Sequence, residues 1–301
     1  MDKHDFRIVF MGTPAFAVAS LEELIQNGYN VVAVVTMPDK PSGRGQKLQY
    51  SDVKECALAN NLPLLQPTNL KDPQFIEELR SYQADLQIVV AFRILPEIVW
   101  AMPRYGTFNL HAALLPQYRG AAPINWAIIN GEKETGLTTF MLQQTVDTGE
   151  MILQEKVTIG EDETFGELYD RLKEIGKTLV TQTTDIIIES ASKKVPVPTT
   201  IQPDVEMKPA PKIFKEMCEI DFSQTAEQIR NFVRGLCPTP CAWANITIAN
   251  HFFERVKIYK VSVGSGLITI PCQDGVVSID ELQLPGKKRM HAKDVLNGLA
   301  H

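Results

Sequence analysis

Three side chains in the middle of the sequence have the types and spacing needed for acyl-group chemistry. Asn109 and His111 lie two residues apart in NLHAALLPQYRG, and Asp147 lies in VDTGEM. Residues two apart on a strand point to the same face, and Asp-Thr-Gly is typical of a turn. An amide can donate to a developing oxyanion, and a histidine held by a carboxylate can move a proton. Since neither stretch contains Ser or Cys, the set predicts acyl transfer without a covalent enzyme intermediate.

The segments that must position these residues alternate between strand and helix patterns. Strands are predicted at 6–12, 30–36, 85–92, 106–112 and 136–143, and helices at 16–28, 51–62, 72–83, 122–131 and 163–188. Thr13 is the predicted N-cap of the first helix. This repetition predicts an α/β fold with an open, mostly parallel, Rossmann-like sheet covered by helices on both faces. Ligands of such sheets bind at the carboxyl ends of the strands, where Asn109 and His111 would lie.

The last third of the chain has a different pattern. Residues 193–211 contain five prolines and no helical periodicity, as expected of an extended linker. One helix follows, with Thr225 and Gln228 spaced for a capping box. Short strands are then predicted at 241–248, 254–263, 266–272 and 275–282, which favours a small OB-like β-barrel. The predicted domains are 1–189, a linker at 190–207, and 208–301.

Charge is distributed unevenly between these parts. Residues 1–207 carry 18 Lys and Arg against 27 Asp and Glu, a net charge of −9, whereas residues 208–301 carry 12 against 9, a net charge of +3. A basic second part is compatible with a nucleic-acid partner. Charge alone leaves that interpretation and chance both open.

Composition and motifs argue against several classes of protein. The 301 residues are 44% hydrophobic and 22% charged, which is ordinary for a soluble globular protein. No apolar run is long enough for a membrane span, and the first ten residues lack the features of a signal peptide. Five scattered cysteines predict free thiols, no metal site and a cytoplasmic location. Gly12 is followed by TPAFAV rather than GxGxxG, which argues against a dinucleotide cofactor.

Several motifs, taken together, resemble one family. The stretch from Asn109 to Pro123 and the DTG at 147–149 resemble the motif of formyltransferases that use 10-formyltetrahydrofolate: Asn-x-His, Ser-Leu-Leu-Pro, Arg-Gly-Ala-x-Pro and Asp-x-Gly. The stretches VFMGTPAFAVASLEELI, TMPDKPSGRGQKL and LPGKKRMHAKDVLNG narrow the resemblance to the members that act on methionyl-tRNA. The resemblance covers nearly the whole chain.

The resemblance implies an enzyme that transfers the formyl group directly from the folate to the α-amine of methionine on the initiator tRNA. Asn109 and His111 would stabilise the tetrahedral oxyanion, and Asp147 would orient His111 or the water that takes the proton. The formyl donor, 10-formyltetrahydrofolate, would bind along two loops and beside the DTG turn. The implied folate-binding residues are Phe92, Ile94, Leu95, Ala113, Leu114, Leu115, Pro116 and Val146.

The same resemblance implies two basic regions that bind the methionyl-tRNA. One is the loop at 37–50, with Lys40, Arg44 and Lys47, which would enter the acceptor stem. The other lies in the second domain, with Lys208, Lys287, Lys288 and Arg289, and with Lys212, Lys215, Lys257 and Lys260 as further candidates for phosphate contacts. A monomer is expected.

The sequence departs from the family pattern at two places. Ala113 stands where the family has Ser, and Phe92-Arg93 stands where the family has Tyr-Gly. Arg93 is expected to point outward. Two alternatives stay open: a formyltransferase for an amino sugar or another small amine, and a nucleic-acid-binding protein with an idle enzyme fold. The sequence also leaves open whether further residues follow His301.

Overall fold

A computed structural model describes residues 2–42 and 47–299. The chain forms two compact units. The first comprises Met1–Arg119, Gly136–Lys156 and Asp170–Met207, and the second comprises Gly120–Thr135, Val157–Tyr169 and Lys208–His301. The units therefore interleave along the sequence, and the predicted linker at 190–207 falls in the first unit rather than between the two.

Fourteen strands and eight α-helices are found among residues 2–42 and 47–299. In chain order they are β1 (Arg7–Gly12), α1 (Ala15–Gln26), β2 (Asn30–Val35), β3 (Lys40–Ser42), β4 (Lys47–Gln49), α2 (Asp52–Ala59), β5 (Leu64–Leu65), α3 (Pro73–Ser81), β6 (Leu86–Val90), α4 (Glu97–Trp100), β7 (Thr107–His111), α5 (Pro123–Ile129), β8 (Glu134–Met141), β9 (Met151–Thr158), α6 (Phe165–Lys193), α7 (Ala226–Leu236), β10 (Ala242–Ile248), β11 (His251–Val263), β12 (Thr269–Cys272), β13 (Gly275–Gln283), β14 (Met290–His291) and α8 (Ala292–Leu299).

A seven-stranded sheet has the order β5-β2-β1-β6-β7-β8-β9. The strands from β5 to β7 are parallel, and β8 is antiparallel to β7. Both sheet faces are covered: Val9 and Met11 belong to one apolar core, while the alternate residues Ile8 and Phe10 are also fully buried. The predicted α/β fold class is confirmed. The strand order reverses between β1 and β6, which directs ligands to the carboxyl ends of the strands beside this point.

The second unit contains an antiparallel sheet of five strands. Its order is β10-β11-β13-β12, and β14 pairs with β13. The buried residues of these strands pack with α7 and α8 around one core. The predicted capping box is present at the start of α7, because the Thr225 side chain accepts from the Gln228 backbone and the Gln228 side chain accepts from the Thr225 backbone. The prediction of a small barrel-like domain is confirmed.

Some local predictions were wrong. The N-cap of α1 is Pro14, with an extended ψ of 173°, so the helix begins one residue too late for Thr13 to cap it. Strand β9 was not predicted, and the loop at 37–50 contains the short hairpin β3–β4.

No helix within the described residues is long and apolar enough to cross a membrane. All five cysteines lie in the described part of the chain and are free thiols.

Candidate active site

His111 and Asp147 come together at the carboxyl end of β7. His111 is the last residue of β7 and pairs with Thr138 of β8. Its Nδ1 lies 4.0 Å from Oδ2 of Asp147, and only 7% of the His111 side chain and 11% of the Asp147 side chain are exposed. This distance is longer than a hydrogen bond. The pair is therefore an electrostatic contact, shielded from solvent, with the carboxylate facing one ring nitrogen.

The other ring nitrogen of His111 fixes the tautomer. Nε2 lies 2.8 Å from the backbone oxygen of Tyr118. A carbonyl oxygen can only accept a hydrogen bond, so Nε2 carries a proton. In the neutral ring Nδ1 is consequently unprotonated, and it is the nitrogen available to take a proton beside Asp147. Tyr118 is 5% exposed and has φ of +59°. Its contact with His111 was not predicted from the sequence.

The loop that carries Asp147 has a demanding backbone. Asp147 has φ of +55°, in the left-handed region that few non-glycine residues adopt. Two residues later, a Cβ on Gly149 would lie 1.6 Å from the backbone oxygen of Met141, so only glycine fits this close approach. The Asp-Thr-Gly sequence thus provides the carboxylate and also permits the tight backbone conformation of this loop.

Asn109 lies on β7 between its two neighbouring strands. It pairs with Val89 of β6 and with Phe140 of β8, and its side chain is half-buried. Because residues two apart on a strand share a face, Asn109 and His111 project from the same face of β7. The strand therefore presents an amide and an imidazole side by side near its carboxyl end.

The residues predicted to bind folate differ in exposure. Ala113 and Leu115 are buried, and so is Leu95, whereas Ile94 is 75% and Val146 is 47% exposed. The remaining members are half-buried or buried: Phe92, Leu114 and Pro116. An apolar residue with high exposure at a sheet's carboxyl edge is available to a ligand. Ile94 and Val146 are the predicted contacts that best meet this condition.

Two polar side chains on β8 and β9 hold the loop after β7. Thr138 donates to the backbone oxygen of Ala113 over 2.7 Å and accepts from the backbone N–H of Leu115 over 3.2 Å. Gln154 donates to the backbone oxygen of Leu115 over 2.8 Å. The backbone of this loop is thus fixed without the serine hydroxyl that the family pattern has at position 113. Neither Thr138 nor Gln154 was singled out from the sequence, because such contacts carry no signature in local spacing.

Arg93 does not point outward, so that expectation was wrong. It is half-buried, and its guanidinium donates to the backbone oxygen of Thr68 over 2.9 Å and to that of Pro67. Burial lowers the pKa of Arg93 from its usual value. The positive φ in this loop falls on Ala91, at +48°, and not on Arg93. An arginine is therefore accommodated where the family has glycine because its side chain binds a neighbouring loop.

A cleft of about 800 Å³ opens beside Arg93. Its walls include Ile94 and Leu95 from the predicted folate-binding set. Lys71 and Gln144, which are outside that set, also line the cleft. Small-molecule sites commonly have volumes of about 300–1,000 Å³. The cleft has the size of a ligand site and shares one loop with the predicted folate contacts.

The residues predicted to bind tRNA lie in different settings. Arg44 and the side chain of Lys47 lie outside the described part of the structure, whereas Lys40, Lys287 and Lys288 are exposed. Lys208 forms an ion pair of 2.5 Å with Glu132.

Arg289 is exposed as well, but it is already paired within its own unit. It donates to Glu281 over 2.7 Å and lies 4.5 Å from the centre of the Tyr259 ring. A similar pair, Arg255 over Trp243 at 5.0 Å, was not singled out from the sequence.

Models of known protein families match most of the chain. The family model described as formyl transferase matches residues 6–184, and the model for the formyl transferase C-terminal domain matches residues 212–300. Since the first of these covers more than half of the 301 residues, the chain belongs to the formyl transferase family.

Two relatives and one solved structure are similar to this chain over nearly its full length. The chain is 51% identical to the methionyl-tRNA formyltransferase of Bacteroides thetaiotaomicron, over 99% of this chain and 97% of that protein. It is 51% identical to the methionyl-tRNA formyltransferase of Flavobacterium johnsoniae, over 97% of this chain and 96% of that protein. The sugar 3N-formyl transferase WlaRD, crystallised with dTDP and 5-N-formyl-THF, has a TM-score of 0.65 at 20% identity, covering 94% of this chain and 99% of that one. At that identity the likeness shows the fold alone.

Proposed function

We propose that this protein transfers a formyl group from 10-formyltetrahydrofolate to the α-amine of methionine on initiator methionyl-tRNA. The observation that carries the proposed chemistry is the shielded contact between His111 and Asp147, on the strand that also bears Asn109. The acceptor is inferred from near-full-length identities of about 50% to proteins named methionyl-tRNA formyltransferase. A cytoplasmic location follows from this role in translation.

The proposed reaction needs an oxyanion site and a proton acceptor. The neutral amine attacks the formyl carbon, and the bond from that carbon to N10 of the folate breaks. Asn109 stabilises the oxyanion of the tetrahedral intermediate as a donor fixed in advance, and His111 adds to this stabilisation once its ring is charged. The amine loses one proton and N10 gains one. Nδ1 of His111 is the nitrogen that can carry this proton, and Asp147 stabilises the charged ring.

The folate is proposed to bind beside the loops after β6 and β7. The support is the cleft of about 800 Å³ with Ile94 and Leu95 in its wall, and the exposed Val146 on the Asp147 loop. The backbone at Leu115 is fixed by hydrogen bonds, so the remaining polar groups of this loop can recognise a ring edge with little cost in ordering.

The tRNA is proposed to bind through exposed cations. Lys287 and Lys288 in the second unit are available for phosphate contacts, and the Arg255–Trp243 pair offers a charged and a flat surface together. Lys40 and Arg44 are proposed as acceptor-stem contacts from the resemblance of their loop to the family pattern.

The test is a formylation assay with the purified protein. Incubation with 10-formyltetrahydrofolate and charged initiator methionyl-tRNA should yield formyl-methionyl-tRNA, and a dTDP-amino sugar should not be formylated. Formylation of the sugar but not of the tRNA would replace this proposal with the amino-sugar alternative. Binding of tRNA without any formyl transfer would favour an idle enzyme fold.

A further inference from the structure

One buried amide in the Pro-rich segment connects to the catalytic loop. Gln202 is 8% exposed. Its Nε2 donates to the backbone oxygen of Asp147 over 2.9 Å and to that of Gly149 over 2.8 Å. Its Oε1 accepts from the guanidinium of Arg119, over 3.2 Å from Nε and 2.6 Å from Nη2. Both ends of the amide are therefore used.

These contacts complete a ring of interactions around the catalytic pair. Arg119 follows Tyr118, whose backbone oxygen binds Nε2 of His111. From His111 the ring runs through Tyr118 and Arg119 to Gln202, then to the backbone of Asp147, and returns across 4.0 Å to His111. Gln202 is the link that joins the loop after β7 to the loop of Asp147.

We propose that Gln202 is a positioning residue for formyl transfer, which sets the distance between the Asp147 carboxylate and the His111 ring. The inference rests on the function proposed above. Asp147 sits in a strained left-handed conformation, so its loop needs outside support to keep that geometry. The two donors of one amide supply that support at residues 147 and 149. A displacement of about 1 Å at a catalytic group can lower the rate about 100-fold.

A nearby glutamine provides a matched control. Gln117 also ties the loop after β7 to the Pro-rich segment, because its Nε2 donates to the backbone oxygen of Glu206 over 2.9 Å. Gln117→Leu removes a hydrogen bond between the same two segments, and its partner in that bond, Glu206, lies outside the Asp147 loop. This control variant distinguishes the effect of a loosened Pro-rich segment on kcat from the effect of a displaced Asp147 loop.

The experiment compares Gln202→Leu, Gln202→Glu, Gln117→Leu and the wild type. Gln202→Glu keeps the length and the acceptor for Arg119, but it loses both donors to the Asp147 loop. Each variant is checked by thermal unfolding, and then kcat and the KM values for 10-formyltetrahydrofolate and methionyl-tRNA are measured. Both Gln202 variants should lose about 10- to 100-fold in kcat while the KM for tRNA changes less than about twofold. Gln117→Leu should keep the wild-type kcat.

The possible outcomes are distinct. Wild-type protein that forms no formyl-methionyl-tRNA would overturn the proposed function itself. An active wild type with Gln202 variants no slower than Gln117→Leu would overturn only the role of Gln202. A fall in kcat accompanied by an equal rise in the KM for tRNA would also count against positioning. If neither Gln202 variant folds, the residue serves the stability of the unit and the proposal fails.

Discussion

The proposed catalytic pair, His111 and Asp147, and the exposed lysines of the second unit are held in opposite ways. His111 and Asp147 are almost fully buried, and their loops are fixed by Tyr118 and Gln202. Lys287 and Lys288 are exposed on the turn before β14. Acyl transfer depends on the placement of a few atoms, whereas phosphate binding depends on the amount of charge nearby. Substitutions in the two regions should therefore differ in size and in salt dependence.

The largest effect is expected at His111. His111→Ala removes the proposed proton acceptor and, with it, the charged ring proposed to stabilise the oxyanion, so kcat should fall by about 100- to 10,000-fold. Binding of methionyl-tRNA, measured by filter retention, should stay within about twofold of the wild type. Turnover close to that of the wild type would show that the placement of His111 does not matter for formyl transfer.

The next effect concerns two arginines held in different ways. Arg93 donates to two backbone oxygens, whereas Arg80 forms an exposed ion pair with Glu77. Arg93→Ala should lower the free energy of unfolding by about 1–2 kcal/mol, because two charge-assisted hydrogen bonds are lost. Arg80→Ala should change it by less than about 1 kcal/mol. Equal losses in denaturant titrations would show that attachment to backbone oxygens adds nothing at this site.

A pH-dependent effect is expected at the root of the β3–β4 hairpin. The Asp39 carboxylate accepts from Nζ of Lys54 over 2.6 Å and from Nε2 of Gln66 over 2.8 Å. The Lys54 hydrogen bond, and then that of Gln66, hold the pKa of Asp39 below its usual value. A lowered pKa in the folded state stabilises the fold above the unfolded pKa of about 3.9, and this contribution is lost as the pH falls further.

Asp39→Asn tests this contribution through the melting temperature. The variant should melt below the wild type at neutral pH, and the gap should close as the pH falls below about 4. A gap that stays constant down to pH 2 would assign the effect to packing rather than to charge.

The smallest effect is expected at one exposed lysine. Lys288→Ala should weaken tRNA binding a few-fold and reduce the slope of log K against log salt by roughly one, as for one lost phosphate contact. Lys156→Ala, at an exposed position of the first unit, serves as the control. An unchanged slope for Lys288→Ala would remove this residue from the proposed tRNA-binding surface.

Local sequence patterns were sufficient to predict which secondary-structure elements carry the candidate site residues. Asn109 and His111 lie on a strand, and Asp147 lies in a turn, because alternation and Asp-Thr-Gly are encoded within a few residues. Strand β9 escaped prediction because its exposed stretch at 154–156 breaks the alternation expected of a half-buried strand.

Contacts between distant segments could not be predicted in the same way. The partners of Gln202 lie 55, 53 and 83 residues away in sequence. Arg93 similarly depends on backbone oxygens 25 and 26 residues away. Such contacts require the fold to be known, because no spacing within one segment specifies which carbonyl a side chain will meet.

The distribution of the free thiols has a practical consequence for labelling. Cys56, Cys218, Cys237 and Cys241 are buried, and burial raises the pKa of Cys56 and of Cys241 to about 11, so the reactive thiolate is scarce at neutral pH. Cys272, on β12 of the second unit, is half-buried and has a side toward solvent. A maleimide fluorophore can therefore be attached there without any engineered residue, to test whether tRNA binds at the second unit as proposed.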